Sequence, residues 1–271
     1  MTTTRLPTLY IAHGGGPCFF MEPPAEDPQM WDKLAAHLKG IVASLPETPK
    51  AVLVISGHWE ETPVTVNAGA RPPMLFDYYG FPEHTYRLSF PAPGSPDLAA
   101  RVGELLETAG IAHARTADRG FDHGVFVPFL LAFPDADIPV VQLSLQAGLD
   151  AAQHLRIGAA LEPLREDGVL IIGSGMSFHN LRALFADDPR IDAASVVFDD
   201  WLAKASCAAP DDRNRMLSHW EEAPFATFCH PRAEHLLPLM VAAGAAGNDV
   251  GRRDYGERLA GKALSGFRFG S

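Results

Sequence analysis

Residues 51–58, AVLVISGH, are the stretch that decides the fold. Five apolar side chains in succession predict a buried strand, and the Ser-Gly-His that follows places an imidazole just beyond it. Two other runs have the same form: residues 8–13, TLYIAH, and residues 169–172, VLII, before a predicted turn at residues 173–175. Parallel strands end at one edge of a sheet, so we expect the side chains that follow these strands to converge.

Short aliphatic runs alternate along the chain with longer segments whose apolar residues recur at spacings of three and four. This alternation predicts an α/β layered fold within a single domain, residues 1–271. The predicted strands are residues 9–12, 51–56, 64–67, 139–145 and 169–172. The predicted helices are residues 31–44, 96–109, 151–167, 193–208 and 233–244. Proline, glycine and aromatic residues crowd residues 69–94, which we predict to be a long ordered loop covering a site.

The composition, 47% hydrophobic and 20% charged over 271 residues, is typical of a soluble globular protein. A formal net charge of −11 argues against nucleic-acid binding, which needs clusters of lysine and arginine. No apolar run is long enough to span a membrane, and the N-terminus lacks a signal peptide, so we expect a cytoplasmic protein with no membrane partner. Three scattered cysteines are too few for a disulfide framework and favour reduced thiols.

Four histidines follow apolar runs or lie beside a proline near a predicted helix start: His13, His58, His179 and His235. Neutral imidazole is a common metal ligand and titrates near pH 7, so their convergence predicts a metal or acid–base site. His179 precedes an asparagine, which suits a general base whose tautomer is fixed by a neighbour.

The run His-Gly-Gly-Gly at residues 13–16 also has a hydrolase interpretation, because lipase-type enzymes build an oxyanion hole from it. That chemistry requires a Gly-x-Ser-x-Gly nucleophile motif. The nearest match, residues 175–179, GMSFH, ends in histidine. A serine hydrolase is therefore disfavoured.

His123 supports two interpretations: Asp122 caps a helix and His123 has no further role, or His123 points into the histidine site as a proton donor or substrate clamp. Glu234 and His235 are adjacent on a predicted helix, where neighbouring positions diverge by about 100 degrees. We therefore expect only one of that pair to bind a metal. We expect His230 to face solvent. The other histidines are expected at the surface or the core edge: His37, His84, His113, His154 and His219.

A set of motifs in order over nearly the whole chain resembles the DOPA-dioxygenase type of class III extradiol ring-cleavage dioxygenases. These motifs are His13-Gly14, residues 56–59 (SGHW), Gly80-Phe81-Pro82, Tyr86 with residues 91–96 (PAPGSP), residues 120–124 (GFDHG), residues 134–139 (PDADIP), residues 141–144 (VQLS), residues 179–182 (HNLR) and Glu234-His235.

The resemblance implies a three-layer α/β/α fold around a mostly parallel or mixed sheet. It also implies cleavage of a catechol, such as L-DOPA or a relative, beside its hydroxyl groups by O₂. Fe(II) would serve turnover, with Zn(II) as the other candidate for the bound metal. His13 and His58 match the first two metal ligands, and His235 is preferred over Glu234 as the third.

Two further histidines match catalytic positions in this resemblance. His179 corresponds to the base that deprotonates the catechol, and it would also come within ligand distance of a resting metal such as zinc. His123 corresponds to a histidine that would hydrogen-bond the bound oxygen or donate a proton.

The chain departs from the family pattern at residues 13–18, which read HGGGPC where His-Gly-Ser-Pro is commoner. We therefore expect a different loop shape here and do not transfer the family's substrate side chain. Asp77, Tyr78, Tyr79 and Phe81 are candidates to line the substrate pocket, although aromatic packing over the site explains them nearly as well.

Two alternatives keep the metal site but change its use. One is a zinc hydrolase with a metal-bound water as the nucleophile, and the other is a metal-binding sensor without turnover. Zinc is redox-inert, so oxygen uptake separates the dioxygenase from the hydrolase. The sequence permits a monomer or a homodimer.

Overall fold

One mixed sheet forms the centre of the protein, in a computed structural model that describes residues 5–271. Its strands are β1 (Thr8–Ala12), β2 (Ala51–Glu61), β3 (Val64–Asn67), β4 (His113–Thr116), β5 (Val140–Gln146), β6 (Val169–Gly175), β7 (Gly251–Leu259) and β8 (Lys262–Phe269). Their order across the sheet is β4-β3-β5-β2-β6-β1-β8-β7. The four central strands, β5, β2, β6 and β1, run parallel, whereas β8 is antiparallel to β1 and β3 is antiparallel to β5.

Helices cover both faces of this sheet. They are α1 (Asp32–Gly40), α2 (Pro96–Thr108), α3 (His123–Ala132), α4 (Ala151–Leu161), α5 (Pro189–Ser206), α6 (Pro210–Ser218), α7 (Ala226–Cys229) and α8 (Leu237–Ala245). Helix α8 packs against β6 and β1 and is itself covered by α4, while α3 packs against β2 and contacts α1. The predicted three-layer α/β/α fold is confirmed.

Strand β6 shows how the sequence brings these layers close. It continues through Gly173, Ser174 and Gly175, so the prediction of a turn here is wrong. A Cβ atom at position 173 would lie 2.2 Å from the Pro238 carbonyl oxygen, and one at position 175 would lie 2.0 Å from the His235 carbonyl oxygen. Glycine is required because any side chain on this face would push α8 off the sheet. Ser174 points to the opposite face, toward the start of α3.

Most predicted elements are confirmed, with shifted ends. Strand β2 runs on to Glu61, past a shift in its register with β5, so His58 lies within the strand and not after it. The prediction of a helix start at residue 233 is wrong, because α8 begins at Leu237 and the preceding residues form turns. The loop at residues 69–94 is largely irregular, as predicted, apart from one 3-10 turn at Glu83–Arg87.

Other features follow from the described part of the chain. No helix within residues 5–271 is both long and apolar enough to cross a membrane. The signal-peptide prediction rests largely on residues 1–4, which lie outside the described residues. The cysteines are free thiols: Cys18 and Cys229 are buried, and Cys207 is partly buried.

Candidate metal centre and its cavity

Three histidine side chains meet at the carboxyl-terminal edge of the parallel strands. The Nε2 atom of His58 lies 3.2 Å from Nε2 of His13 and 3.2 Å from Nε2 of His235. His13 and His235 are buried, and His58 is partly exposed. The three imidazoles therefore present their outer nitrogens to a common point, and this is one of the groups able to hold a metal ion in the described chain.

The backbone fixes each of these histidines separately. His13 follows β1, and its N–H donates to the Gly175 carbonyl at 3.1 Å. His235 lies in the turn before α8, and its carbonyl oxygen accepts from the Tyr10 hydroxyl at 2.8 Å and from the Met176 N–H at 3.1 Å. Because three separate segments of chain hold the three histidines, their arrangement is set by the fold.

Polar partners behind the rings determine which nitrogen carries a proton. Nδ1 of His13 lies 3.1 Å from the Ser174 hydroxyl, which itself donates to the Gly124 carbonyl. Nδ1 of His235 lies 3.0 Å from Oε1 of Glu234. Both contacts place the proton on Nδ1 and leave the lone pair on Nε2, directed at the cluster.

The surroundings keep these rings neutral. Burial lowers the pKa of His13 and of His235 well below the usual value, and the neighbouring histidines add to this effect. The pKa of His58 falls to about 4, with burial as the main cause and His123 as the next. Neutral imidazole is the form that binds a metal ion.

The arrangement fits a divalent transition metal. Metal–imidazole bonds of about 2.0–2.1 Å, at tetrahedral to octahedral angles, separate ligand nitrogens by roughly 2.8–3.4 Å, and the two 3.2 Å distances from His58 lie in that interval. Without a cation, three inward lone pairs in a largely buried site would repel one another. A three-histidine set suits iron or zinc and leaves coordination positions open for other ligands.

A carboxylate links the third histidine of this cluster to His179. Oε1 of Glu234 lies 3.2 Å from Nδ1 of His179, in addition to its contact with His235. The rings of His179 and His235 stack with centroids 3.4 Å apart. Burial opposes ionisation of Glu234, but contacts with His179 and the nearby Arg232 outweigh it, so the pKa of this carboxyl is lowered. Both Glu234 and His235 therefore point inward, contrary to the prediction from helix geometry, because neither lies on a helix.

His179 occupies a different position from the three clustered histidines. It forms a second group of possible ligands with Glu234 and His235, whose ligand atoms all lie within 4.8 Å of one another. His13 and His58 do not belong to this group. It lines the same cavity and follows β6 closely.

A second carboxylate holds His123 on the other side. The Nδ1 atom of His123 lies 2.8 Å from Oδ1 of Asp77, which also accepts from the His123 N–H at 3.0 Å. The His123 ring lies 3.9 Å from the ring of His58. Burial opposes ionisation of Asp77, but its contacts with His123 lower the pKa overall. The loop at residues 69–94 thus supplies a carboxylate that orients a histidine of the site.

Asp122 stabilises this region in an unexpected way. It precedes α3, but its side chain makes no capping bond to the helix, so the capping interpretation, one of the two left open, is wrong. It is fully buried and accepts hydrogen bonds from Ser56 at 2.7 Å, Arg119 at 3.0 Å and Gln142. These bonds join β2, β5 and the start of α3 directly beside the histidines.

A cavity of about 510 Å³ opens over the cluster. His13, His58, His123, His179 and His235 form its floor, and residues 14–16 and the loop at residues 69–94 form part of its wall. Of the four loop residues predicted as candidates to line the pocket, Tyr78 and Phe81 line it, whereas Asp77 bonds to His123 and Tyr79 is 91% exposed. The hydrolase motif is not a nucleophile elbow, because the buried Ser177 hydroxyl accepts from the backbone N–H of Ser265.

Two predictions about other histidines are wrong. His230 is buried, and its Nε2 donates to the Ser177 carbonyl at 2.9 Å. His154 is also buried, and its ring accepts from the Gln146 N–H at 3.1 Å. Sequence analysis likewise missed the contacts of Glu234, Asp77 and Ser174 with histidine Nδ1 atoms. Apart from the contact between the adjacent Glu234 and His235, no local pattern marks these contacts, since they join segments far apart in the chain.

Comparisons with known proteins agree with this site. Residues 7–267 match the family model of the catalytic LigB subunit of aromatic ring-opening dioxygenase. The chain is 41% identical to the 4,5-DOPA dioxygenase extradiol of Beta vulgaris, over 74% of this chain and 75% of that protein. It is 34% identical to the 4,5-DOPA dioxygenase extradiol of Escherichia coli, over 90% and 87% of the two chains. It is also 34% identical to dioxygenase tasH of Hapsidospora irregularis, over 97% and 85%.

A solved structure shares the fold over nearly the full length. The crystal structure of uncharacterized protein JW3007 from Escherichia coli K12 superposes with a TM-score of 0.75 at 27% identity, covering 98% of this chain and 100% of that one. The family match covers most of the chain and the histidine site has a donor set suited to a non-haem metal. The chain therefore belongs to the LigB family of aromatic ring-opening dioxygenases, the class III extradiol enzymes, and it is a metal-dependent catechol dioxygenase.

Proposed function

We propose that the protein, acting as one catalytic domain, uses Fe(II) held by His13, His58 and His235 to open the ring of a catechol beside its hydroxyl groups. The observation that carries this proposal is the convergence of three histidines that line one cavity, with Nε2 of His58 3.2 Å from Nε2 of both His13 and His235. When bound, ferrous iron supplies the one-electron chemistry that lets O₂ react with an aromatic ring. Both oxygen atoms enter the product, a ring-opened semialdehyde.

His179 is the base in this proposal. A catechol that binds over the cluster must lose a proton, and His179 lines the cavity beside His235. Its contact with the Glu234 carboxylate places a proton on Nδ1 and leaves Nε2 as the acceptor. The resulting imidazolium is stabilised by the same carboxylate.

His123 is the second acid–base group. Its Nδ1 is held by Asp77, which turns Nε2 away from the loop. A protonated Nε2 donates a hydrogen bond to oxygen atoms of the bound reactants and returns a proton during ring opening. The two histidine–carboxylate pairs thus flank the cluster, Glu234 with His179 on one side and Asp77 with His123 on the other.

Oxygen uptake by metal-loaded protein tests the proposal. Protein reconstituted with Fe(II) under argon should consume O₂ and form a yellow product from at least one member of a catechol panel that includes L-DOPA. Zinc-loaded protein should bind catechols without consuming O₂, because zinc is redox-inert. If iron-loaded protein leaves every catechol intact and takes up no oxygen, the proposal fails.

The residue roles have their own test. His179→Ala should lose most of the rate while retaining its iron, whereas His13→Ala should lose iron together with the rate. Equal loss of iron in both variants would instead make His179 a ligand.

The proposal also includes a cytoplasmic location and a monomeric or homodimeric state. Size-exclusion chromatography of the metal-loaded protein tests the oligomeric state.

A further inference from the structure

The outer wall of the cavity is apolar. One side comes from the segment after the glycine run, where Met21, Met30 and Trp31 face the opening. The other side comes from the segment after β6, where Leu181 is 69% exposed and Phe185 is 64% exposed. Large apolar side chains exposed together at the mouth of a cavity indicate a surface that binds an apolar group.

Few charged side chains line the same cavity. Among residues 5–271, no lysine or arginine lines it, and its one carboxylate is that of the exposed Glu22. Arg182 and Arg232 lie in a neighbouring groove, where Arg232 pairs with Glu60. A substituent that carries a carboxylate would meet no cation within the cavity, and burying an unpaired charge is costly.

We propose that the substrate of this enzyme is a catechol with an apolar alkyl or aryl substituent, in preference to a catechol with a charged amino-acid side chain. The proposal rests on the catechol dioxygenase function above and specifies its substrate class. It separates this chain from the relatives whose names specify DOPA, a catechol with a carboxylate and an ammonium group.

The size of the cavity supports an extended substituent. Its volume of about 510 Å³ falls within the roughly 300–1,000 Å³ of sites that enclose drug-sized ligands, which are much larger than an unsubstituted catechol. With the hydroxyl groups at the histidine cluster, a substituent at the far side of the ring would reach the apolar lining to which Trp31 and Leu181 belong. Each methylene buried there should tighten binding about fourfold.

A matched panel of catechols tests this preference. Iron-loaded protein is assayed for kcat/KM with 4-propylcatechol, 3,4-dihydroxyphenylacetate and L-DOPA, whose substituents are similar in length. The apolar member should exceed each charged member on the order of tenfold or more. Equal or greater kcat/KM with L-DOPA or the carboxylate would overturn the substrate proposal while leaving the dioxygenase function intact.

Binding without turnover keeps the two proposals apart. Zinc-loaded protein is titrated anaerobically with the same three catechols by isothermal calorimetry. Tighter binding of 4-propylcatechol supports the substrate class even if the iron-loaded protein takes up no oxygen. The absence of oxygen uptake would overturn only the catalytic proposal. Equal affinities, or tighter binding of L-DOPA, count against the substrate class regardless of turnover.

A charge placed at the mouth gives a test at residue level. Leu181→Arg supplies the missing cation at an exposed position, so the variant should fold. It should raise kcat/KM for 3,4-dihydroxyphenylacetate relative to 4-propylcatechol by roughly tenfold. Val250→Arg adds the same charge at an exposed apolar residue that does not line the cavity, and it should leave the ratio unchanged. An unchanged ratio in Leu181→Arg, or the same change in both variants, would contradict the role of this wall.

Discussion

Gly175 lies directly beneath the backbone of His235, so that a Cβ atom at position 175 would fall 2.0 Å from the His235 carbonyl oxygen. That carbonyl also accepts hydrogen bonds from Tyr10 and Met176. The position of His235 in the histidine cluster thus depends on the absence of a side chain from the neighbouring strand.

Gly175→Ala should therefore displace His235 and weaken the site. We expect a loss of about 1–3 kcal/mol in the free energy of unfolding, as for other overpacked positions, together with weaker metal binding. Gly40→Ala is the control, because a Cβ atom there meets nothing within 4 Å. Thermal unfolding and metal content measure both effects, and wild-type behaviour of Gly175→Ala would disprove the contact argument.

Glu234→Gln should weaken metal binding without removing a ligand. The change keeps a hydrogen-bond acceptor near Nδ1 of His235 but removes the negative charge that increases the basicity of the ring. Metal affinity should fall about 10- to 100-fold, as for other partners of metal-bound histidines. Competition with a chelator measures the affinity, and Glu221→Gln at an exposed site is the charge-matched control. An unchanged affinity would show that the carboxylate has no such effect.

Asp77→Asn should act on the rate more than on metal content. It removes the carboxylate that fixes the His123 ring, and His123 is not among the three clustered ligands. We expect kcat to fall on the order of 10- to 100-fold, with iron content near that of the wild type. Asp135→Asn, at an exposed residue, should leave both quantities unchanged. Parallel loss of iron and kcat in Asp77→Asn would point instead to a role in holding the metal.

Stability should decline in mild acid partly because of His230. Burial lowers its pKa from the usual 6.5 to about 4, so between these values the unfolded state binds a proton that the folded state excludes. The part of the unfolding free energy that depends on a neutral His230 is fully present above pH 6.5. It is lost as the pH falls toward 4, at about 1.4 kcal/mol per pH unit. Burial lowers the pKa of other histidines as well. His230→Gln should therefore reduce the slope of the unfolding free energy against pH by the equivalent of about one proton, without abolishing it.

Urea unfolding of metal-free protein at several pH values between 4.5 and 7.5 measures that slope. His219→Gln is the control, because His219 is exposed and its removal should leave the slope as in the wild type. If His230→Gln shows the wild-type slope, His230 does not contribute to acid sensitivity.

The sequence predicted the layers of the fold and the strand runs of the parallel core. These strands could be predicted because each buried strand is a continuous apolar stretch, which is visible in a short piece of the sequence. The hairpin β7–β8 was not predicted, because charged side chains such as Arg252 and Arg253 interrupt any apolar run. The start of α8 was placed too early, because residues 233–236 have apolar spacing but form turns.

For the site, the histidines could be identified from the apolar runs or the proline near them and from their motifs. Their partners could not, because the contacts of Asp77 with His123 and of Ser174 with His13 join segments that are distant in the chain. The burial of His230 depends in the same way on packing by Phe198 and Trp220.

The pairing of β1 with both β6 and β8 has a consequence for biosynthesis. The strand that leads to His13 is translated before its two neighbours in the sheet, residues 169–175 and 262–269. Contacts of such long sequence separation form slowly and late. The sheet around the strand that leads to His13 can therefore be completed only after residues 262–269 have been translated.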